Sequence, residues 1–169
     1  EVGRIAGHGF GMRVLGYDPY ATVVPEPIER RDQIHAILCE AAFVSLHLPV
    51  TNETRGMVGI DIFSAMKQSA FLINTARGAL VRERELLEAL QSGTIRGAGL
   101  DVFAHEPPGE EIAPLFDMEN VVLTPHNASF TRESLERAIA SVFASASEAA
   151  QGKAPACRIN DPANPRLLA

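Results

Sequence analysis

Arg77, Glu106 and His126 are the residues whose types and settings could do chemistry together. Each stands just past a short apolar run. Phe71-Leu72-Ile73 closes on Asn74-Thr75-Ala76-Arg77-Gly78, Gly97 to Val102 leads to Glu106-Pro107-Pro108, and Val121-Val122-Leu123-Thr124 leads through Pro125 to His126. The forked donors of an arginine match a planar carboxylate bidentately. A histidine with a glutamate partner suits proton transfer near neutral pH, because the carboxylate holds the ring and favours its charged form. Taken singly, an arginine before a glycine is more often a solvated loop charge, and a Pro-His pair more often a turn. The three make a site only if the fold gathers them at one edge.

The alternation of strand and helix patterns predicts such an edge. Val2, Ile5 and Ala6 have helical spacing over Glu1 to His8, and Met12 to Asp18 reads as a strand ending on an acid. Ile28, Ile34, Ile37 and Leu38 suggest a helix along Glu29 to Ala41. Phe43 to Leu48 is an apolar strand closed by Pro49, Thr51 to Thr54 a polar loop with helix-starting chemistry, and Ile60, Ile62, Phe63 and Met66 mark a short helix. Strands over Phe71 to Asn74, Gly97 to Val102 and Val121 to Thr124 follow, with a helix over Glu83 to Gln91 stopped by Gly93. Ser134 to Ala150 reads as a helix with Leu135, Ile139, Val142 and Phe143 as its buried stripe. Five strands joined by crossovers predict an α/β fold with a doubly wound parallel sheet, and such sheets bind ligands at the carboxyl ends of their strands. Lys153 to Ala169, with three prolines, reads as an extended tail.

Composition narrows the function. A chain of 169 residues with 46% hydrophobic content can bury one core, and a net charge of −6 speaks against a nucleic acid or an acidic membrane surface as partner. Cys39 and Cys157 have no metal-ligand spacing and read as buried or incidental free thiols of a reducing compartment. No apolar stretch reaches the length of a membrane span, so the expectation is a cytoplasmic protein. A metal site from His105, Glu106 and His126 lacks helical His-x-x-x-His spacing and is not expected.

The amino-terminal glycines, Gly3, Gly7, Gly9 and Gly11, contain no Gly-x-Gly-x-x-Gly triplet, so they are not read as a phosphate loop. In a dinucleotide-binding unit the acid that holds the adenosine ribose follows the first loop glycine by ~20 residues. Counting back from Asp18 lands before Glu1. The expectation is a Rossmann-type sheet lacking its first strand and glycine-rich loop. For Asp18 itself, a turn acid before Pro19 is an equal alternative.

Five motifs in order carry a family resemblance. Gly16-Tyr17-Asp18-Pro19, Val44-Ser45-Leu46-His47-Leu48-Pro49, Asn74-Thr75-Ala76-Arg77-Gly78, Gly99-Leu100-Asp101-Val102-Phe103 with Glu106-Pro107, and Thr124-Pro125-His126 resemble the signatures of the D-isomer-specific 2-hydroxyacid dehydrogenases. The resemblance implies that Arg77 binds a substrate carboxylate, that His126 is the acid/base and that Glu106 is its partner. Asp18, with Pro19, is similar to the acid that bonds the adenosine ribose, which favours NAD over NADP. Leu48, Pro49, Thr54, Thr75 and Ala76 resemble segments lining the cofactor groove, and Asp101 the acid facing the nicotinamide amide. A small 2-hydroxy or 2-keto acid substrate and a homodimer are implied in the same way, as is the division into residues 1–152, an incomplete NAD-binding domain, and 153–169, a tail toward a missing substrate domain.

The chain departs from the family pattern at three places. Asn127-Ala128-Ser129-Phe130 replaces a glycine-containing turn after His126, Ala42 stands where an acid commonly precedes the strand, and Arg82 where an acid commonly caps the helix. His47 is expected to be mainly structural, and Phe103, Phe116 and Phe130 to pack near the cleft. Two other functions fit the same motifs: an NAD-sensing scaffold of the corepressor type, and a truncated domain without useful catalysis, which would bind NAD feebly for want of a helix N-terminus to grip pyrophosphate.

Overall fold

The protein is described by a computed structural model over residues 1–155; the expected tail beyond Pro155, with Cys157, lies outside the described residues. Two compact units divide the chain, residues 1–126 and residues 127–169.

In the first unit, α1 (Val2–Arg4) runs on as a π-helical turn, Ile5–Gly9, into β1 (Val14–Gly16). A Cβ on Gly7 would fall 2.2 Å from the Pro27 ring, so this glycine lets the helical segment lie against the residues before β2. The segment expected as a helix over Glu29 to Ala41 is a correction. It opens as a strand, β2 (Ile28–Arg30), in parallel register with β1, and the helix is only the single turn α2 (His35–Leu38). The residues of β2 stand in register with Val14, Leu15 and Gly16 of β1, and that tertiary pairing overrides the local pattern. Arg13 ties the two strands outside, bonding Glu29 through two nitrogens and Glu40 through a third.

The other strands form a parallel sheet in the order β3 (Phe43–Leu46), β4 (Phe71–Asn74), β5 (Gly97–Leu100), β6 (Val121–Leu123). The five expected strands thus all occur, but with a sixth, and in two sheets. Between β3 and β4 lies α3 (Ile60–Ala65), and between β4 and β5 lies α4 (Glu83–Gln91). Neither helix is capped by the side chain of the residue before it. Gly59 precedes α3, and the N–H of Ile60 is taken by Glu85 of α4 at 2.6 Å; Arg82 precedes α4 and donates from Nε to the Gly56 carbonyl at 2.7 Å. The core is built from Phe63, Leu72, Leu80, Leu86, Ile95 and Leu115, all fully buried.

Register decides where the strands end. Leu46 pairs with Asn74, Asn74 with Leu100 and Leu100 with Leu123, so four strand ends stand in one row. The segments leaving that row carry His47, Arg77, Asp101 and Thr124.

The second unit is described by itself. Its helix α5 (Arg132–Ala150) is capped by Thr131, whose side chain accepts the N–H of Ser134 at 3.1 Å. The expected buried stripe is a second correction: Leu135, Ile139, Val142 and Phe143 are 58%, 48%, 67% and 72% exposed. Their period is amphipathic, but a stripe is buried only where a surface covers it, and no residue of α5 is buried. Cys39, expected buried or incidental, is a free and exposed thiol.

Candidate active site

The loop after β4 is shaped from within. Asn74 is almost fully buried, its amide donating to the Arg77 carbonyl at 3.0 Å and its side-chain oxygen accepting the Ala76 N–H at 3.1 Å. This turn carries Arg77 out from the strand end, exposed, with Nη1 donating to the Ala76 carbonyl at 2.6 Å. No carboxylate pairs with Arg77 among the described residues.

After β5, Asp101 is buried and accepts the Thr124 hydroxyl, while its N–H reaches back to the Asn74 carbonyl at 3.0 Å. The chain then passes Phe103, which stacks on Phe116 with centroids 6.2 Å apart, and arrives at Glu106. One Glu106 oxygen accepts the Phe103 N–H at 3.2 Å; the other lies 2.8 Å from Nδ1 of His126. His126 itself has φ +52°, and no other non-glycine residue among those described has a positive φ. Such a conformation in a histidine costs about 1–3 kcal/mol and persists only where surroundings over-determine it. The bond with His126, and then that with Phe103, hold the Glu106 carboxyl below the usual carboxylate range.

Arg77, Glu106 and His126 line one cleft of about 320 Å³, together with Val50, Arg55 and Phe103. The three residues picked out in the sequence are therefore neighbours. Arg55 was not anticipated. Its signal was weak, a charge directly after Thr54 in a polar loop, and only the tie from the Gly56 N–H to the Ala79 carbonyl at 2.8 Å sets it beside the cleft.

A second cleft, about 550 Å³, is lined by His47, Leu48, Pro49, Val50, Ala76 and Arg77. It lies past the carboxyl ends of β3 and β4 and shares Arg77 with the first. Its lining mixes the apolar Leu48, Pro49, Val50 and Ala76 with the polar His47 and Arg77, and its volume falls in the range of small-ligand sites. Leu48, Pro49 and Ala76 are among its lining residues. Thr54 uses its hydroxyl inside its own loop, donating to the Pro49 carbonyl at 2.8 Å and accepting the Thr51 N–H at 2.7 Å; it supports the groove and lines neither cleft. Thr75 is exposed beside Ala76 and lines neither cleft. His47 bonds the Ser45 hydroxyl at 2.9 Å, and burial pushes its ring toward the neutral form.

Asp18 and Pro19 lie past the end of β1, in the other sheet. One Asp18 oxygen accepts the N–H groups of Tyr20 and Ala21 at 2.8 and 3.2 Å, which is the turn-acid arrangement, while the other accepts from no described residue. Both expected roles thus stay open to one side chain. Phe130 is 83% exposed.

A parallel sheet flanked by helices, with its polar residues gathered at the strand ends, defines a Rossmann-type nucleotide-binding domain. Residues 1–128 match the D-isomer specific 2-hydroxyacid dehydrogenase, NAD binding domain, and the chain belongs to that family. It is 41% identical over 135 residues to D-3-phosphoglycerate dehydrogenase of Methanocaldococcus jannaschii, covering 76% of this chain and 25% of the relative. To glyoxylate reductase of Korarchaeum cryptofilum it is 44% identical over 135 residues, covering 76% and 39%. Among solved structures, D-lactate dehydrogenase with NAD+ from Lactobacillus jensenii matches with a TM-score of 0.81 at 33% identity, over 91% of this chain and 50% of that one. The chain thus spans between a quarter and two fifths of the length of these curated relatives.

Proposed function

We propose that the protein is an NAD-dependent oxidoreductase interconverting a small D-2-hydroxy acid and its 2-keto acid, with His126 as acid/base, Glu106 as its orienting partner and Arg77 as the carboxylate clamp. The observation that carries this reading is the 2.8 Å contact between Glu106 and His126 in a cleft that Arg77 also lines. The two ends of a 2-keto acid call for those two chemistries, a guanidinium for the carboxylate and a proton donor for the carbonyl oxygen.

With Glu106 engaging Nδ1, the nitrogen left for proton exchange is Nε2. In the reducing direction the imidazolium delivers a proton to the developing alkoxide; in the oxidising direction the neutral ring removes the hydroxyl proton. Glu106 fixes the ring's orientation and stabilises its cation. Arg77 has one N–H committed to its neighbour's carbonyl and its remaining donors available for a bidentate carboxylate. When bound in the adjoining cleft, NAD supplies or accepts the hydride. Leu48, Pro49 and Ala76 would hold it there, with Thr75 exposed beside Ala76, Thr54 stiffening the loop and Asp101 keeping the edge of β5 in place. The unengaged Asp18 oxygen suits a ribose hydroxyl, and its charge would repel a 2′-phosphate. The setting we infer for the protein is a homodimer in the cytoplasm.

The test is oxidation of NADH, followed by absorbance, against glyoxylate, hydroxypyruvate, pyruvate and other small 2-keto acids. Turnover of at least one is expected, and NADPH should serve less well. Binding of NADH without turnover of any 2-keto acid would sink the proposal in favour of a nucleotide-sensing role.

A further inference from the structure

Glu83 is the first residue of α4, and its carboxylate is half buried. One of its oxygens accepts the backbone N–H of Ala104 at 2.7 Å. Ala104 stands two residues before Glu106, in the loop that bends from β5 toward His126. Successive N–H groups of this loop are thus held by two carboxylates, Phe103 by Glu106 at 3.2 Å and Ala104 by Glu83.

The opposite side of the loop is closed by backbone. A Cβ on Gly78 would lie 1.9 Å from the Phe103 carbonyl carbon and 2.4 Å from the Ala104 nitrogen, so the residue after Arg77 rests directly on the peptide that Glu83 bonds. The Phe103–Ala104 peptide is therefore gripped between the Arg77 turn and α4. The helix is itself fixed, with Leu86, Ala89 and Leu90 buried in the core.

Burial pushes the Glu83 carboxyl above the usual range, the Ala104 N–H and His105 pull it back, and Glu111 adds to the rise. No lysine or arginine pairs with it among the described residues. A carboxylate removed from water without a cation is held at a cost, and its visible return here is one backbone hydrogen bond.

We propose that Glu83 is a positioning residue for the His126–Glu106 pair: by fixing the Ala104 peptide against α4 it sets where Glu106 meets Nδ1 of His126. The inference rests on reading that pair as the acid/base. It also accounts for the span between Arg77 and Glu106, since α4 and its first residue lie between them in the chain and join them in space.

The experiment compares Glu83→Ala, Glu83→Asp and Glu83→Gln by following the Glu106 carboxyl carbon by NMR through a pH titration, with thermal unfolding alongside. In the wild type Glu106 should titrate below the ordinary carboxylate range, held there first by the bond with His126. Alanine removes the acceptor and aspartate withdraws it by one methylene, so both should return Glu106 toward the ordinary value; glutamine keeps an oxygen in place and should leave it depressed. Turnover should fall roughly 10- to 100-fold in the alanine and aspartate variants with KM little changed, as a misplacement on the order of 1 Å can do. If Glu106 still titrates low in the aspartate variant, or in an alanine variant that folds, Glu83 is merely structural; if glutamine fails to hold Glu106 low, an acceptor at Ala104 is not what positions it. Both results overturn the proposal. Should the protein turn over no 2-keto acid, the acid/base reading fails, yet the titration still reports whether Glu83 places Glu106.

Discussion

Nδ1 of His126 lies 2.8 Å from a carboxylate oxygen of Glu106, across 20 positions of sequence and two neighbouring strands. The contact is made although His126 adopts a left-handed backbone and Glu106 sits in an irregular loop. Short range cannot explain it. The parallel pairing of β5 with β6 delivers both residues to one edge, and the Glu83, Phe103 and Gly78 contacts fix the loop between them.

Removing the imidazole should act on rate. For His126→Ala we expect turnover of a 2-keto acid to fall by ~10²–10⁴-fold, the usual worth of a positioned acid/base, with modest change in KM. Arg77→Ala should raise KM for the keto acid as well as lowering turnover, because the clamp also binds the ground state. Steady-state kinetics on both variants separates the roles, and near-native turnover in both removes the site assignment.

Acid should break the pair in a definite direction. Glu106 is held low, first by His126 and then by the Phe103 N–H. A depressed carboxylate stabilises the fold at pH above its unfolded value of ~4.3, and that contribution disappears as pH falls through the folded value. Urea midpoints measured against pH should therefore show wild type above His126→Ala near pH 6, the two converging in acid. A gap that widens in acid would contradict the pairing.

Gly78→Ala should be more harmful than a methyl group suggests. The added carbon would meet the Phe103 carbonyl carbon at 1.9 Å and its oxygen at 2.1 Å, which are backbone atoms that cannot swing aside. Overpacking of this kind typically costs about 1–3 kcal/mol. Chemical denaturation measures the loss, and loss of turnover beyond what unfolding explains would show that the Glu106 loop had shifted.

Phe63→Ala tests the core. Phe63 is fully buried at the middle of α3, among the side chains that hold α3 and α4 to the sheet. Truncation should cost about 3–5 kcal/mol, read from the denaturant midpoint, and leave the pH behaviour of Glu106 unchanged in protein that remains folded.

The sequence by itself determined the elements whose periodicity is strong and whose partners are local. Phe71 to Asn74 and Glu83 to Gln91 occur with the ends that were read, since an apolar strand closed by a polar turn and a leucine-faced helix need no distant information. The motif residues also fixed which side chains to watch, and Arg77, Glu106 and His126 do share a cleft. What the tertiary structure decided was pairing and burial. Ile28 to Arg30 is a strand because Val14 to Gly16 lies beside it, and Leu135 to Phe143 is exposed because amphipathic spacing cannot supply the surface that would cover it. Glu83 shows the same limit at the site: its bond to Ala104 crosses 21 positions of sequence. Periodicity reports a residue's own backbone, whereas a contact exists only once register has brought two distant segments to the same row.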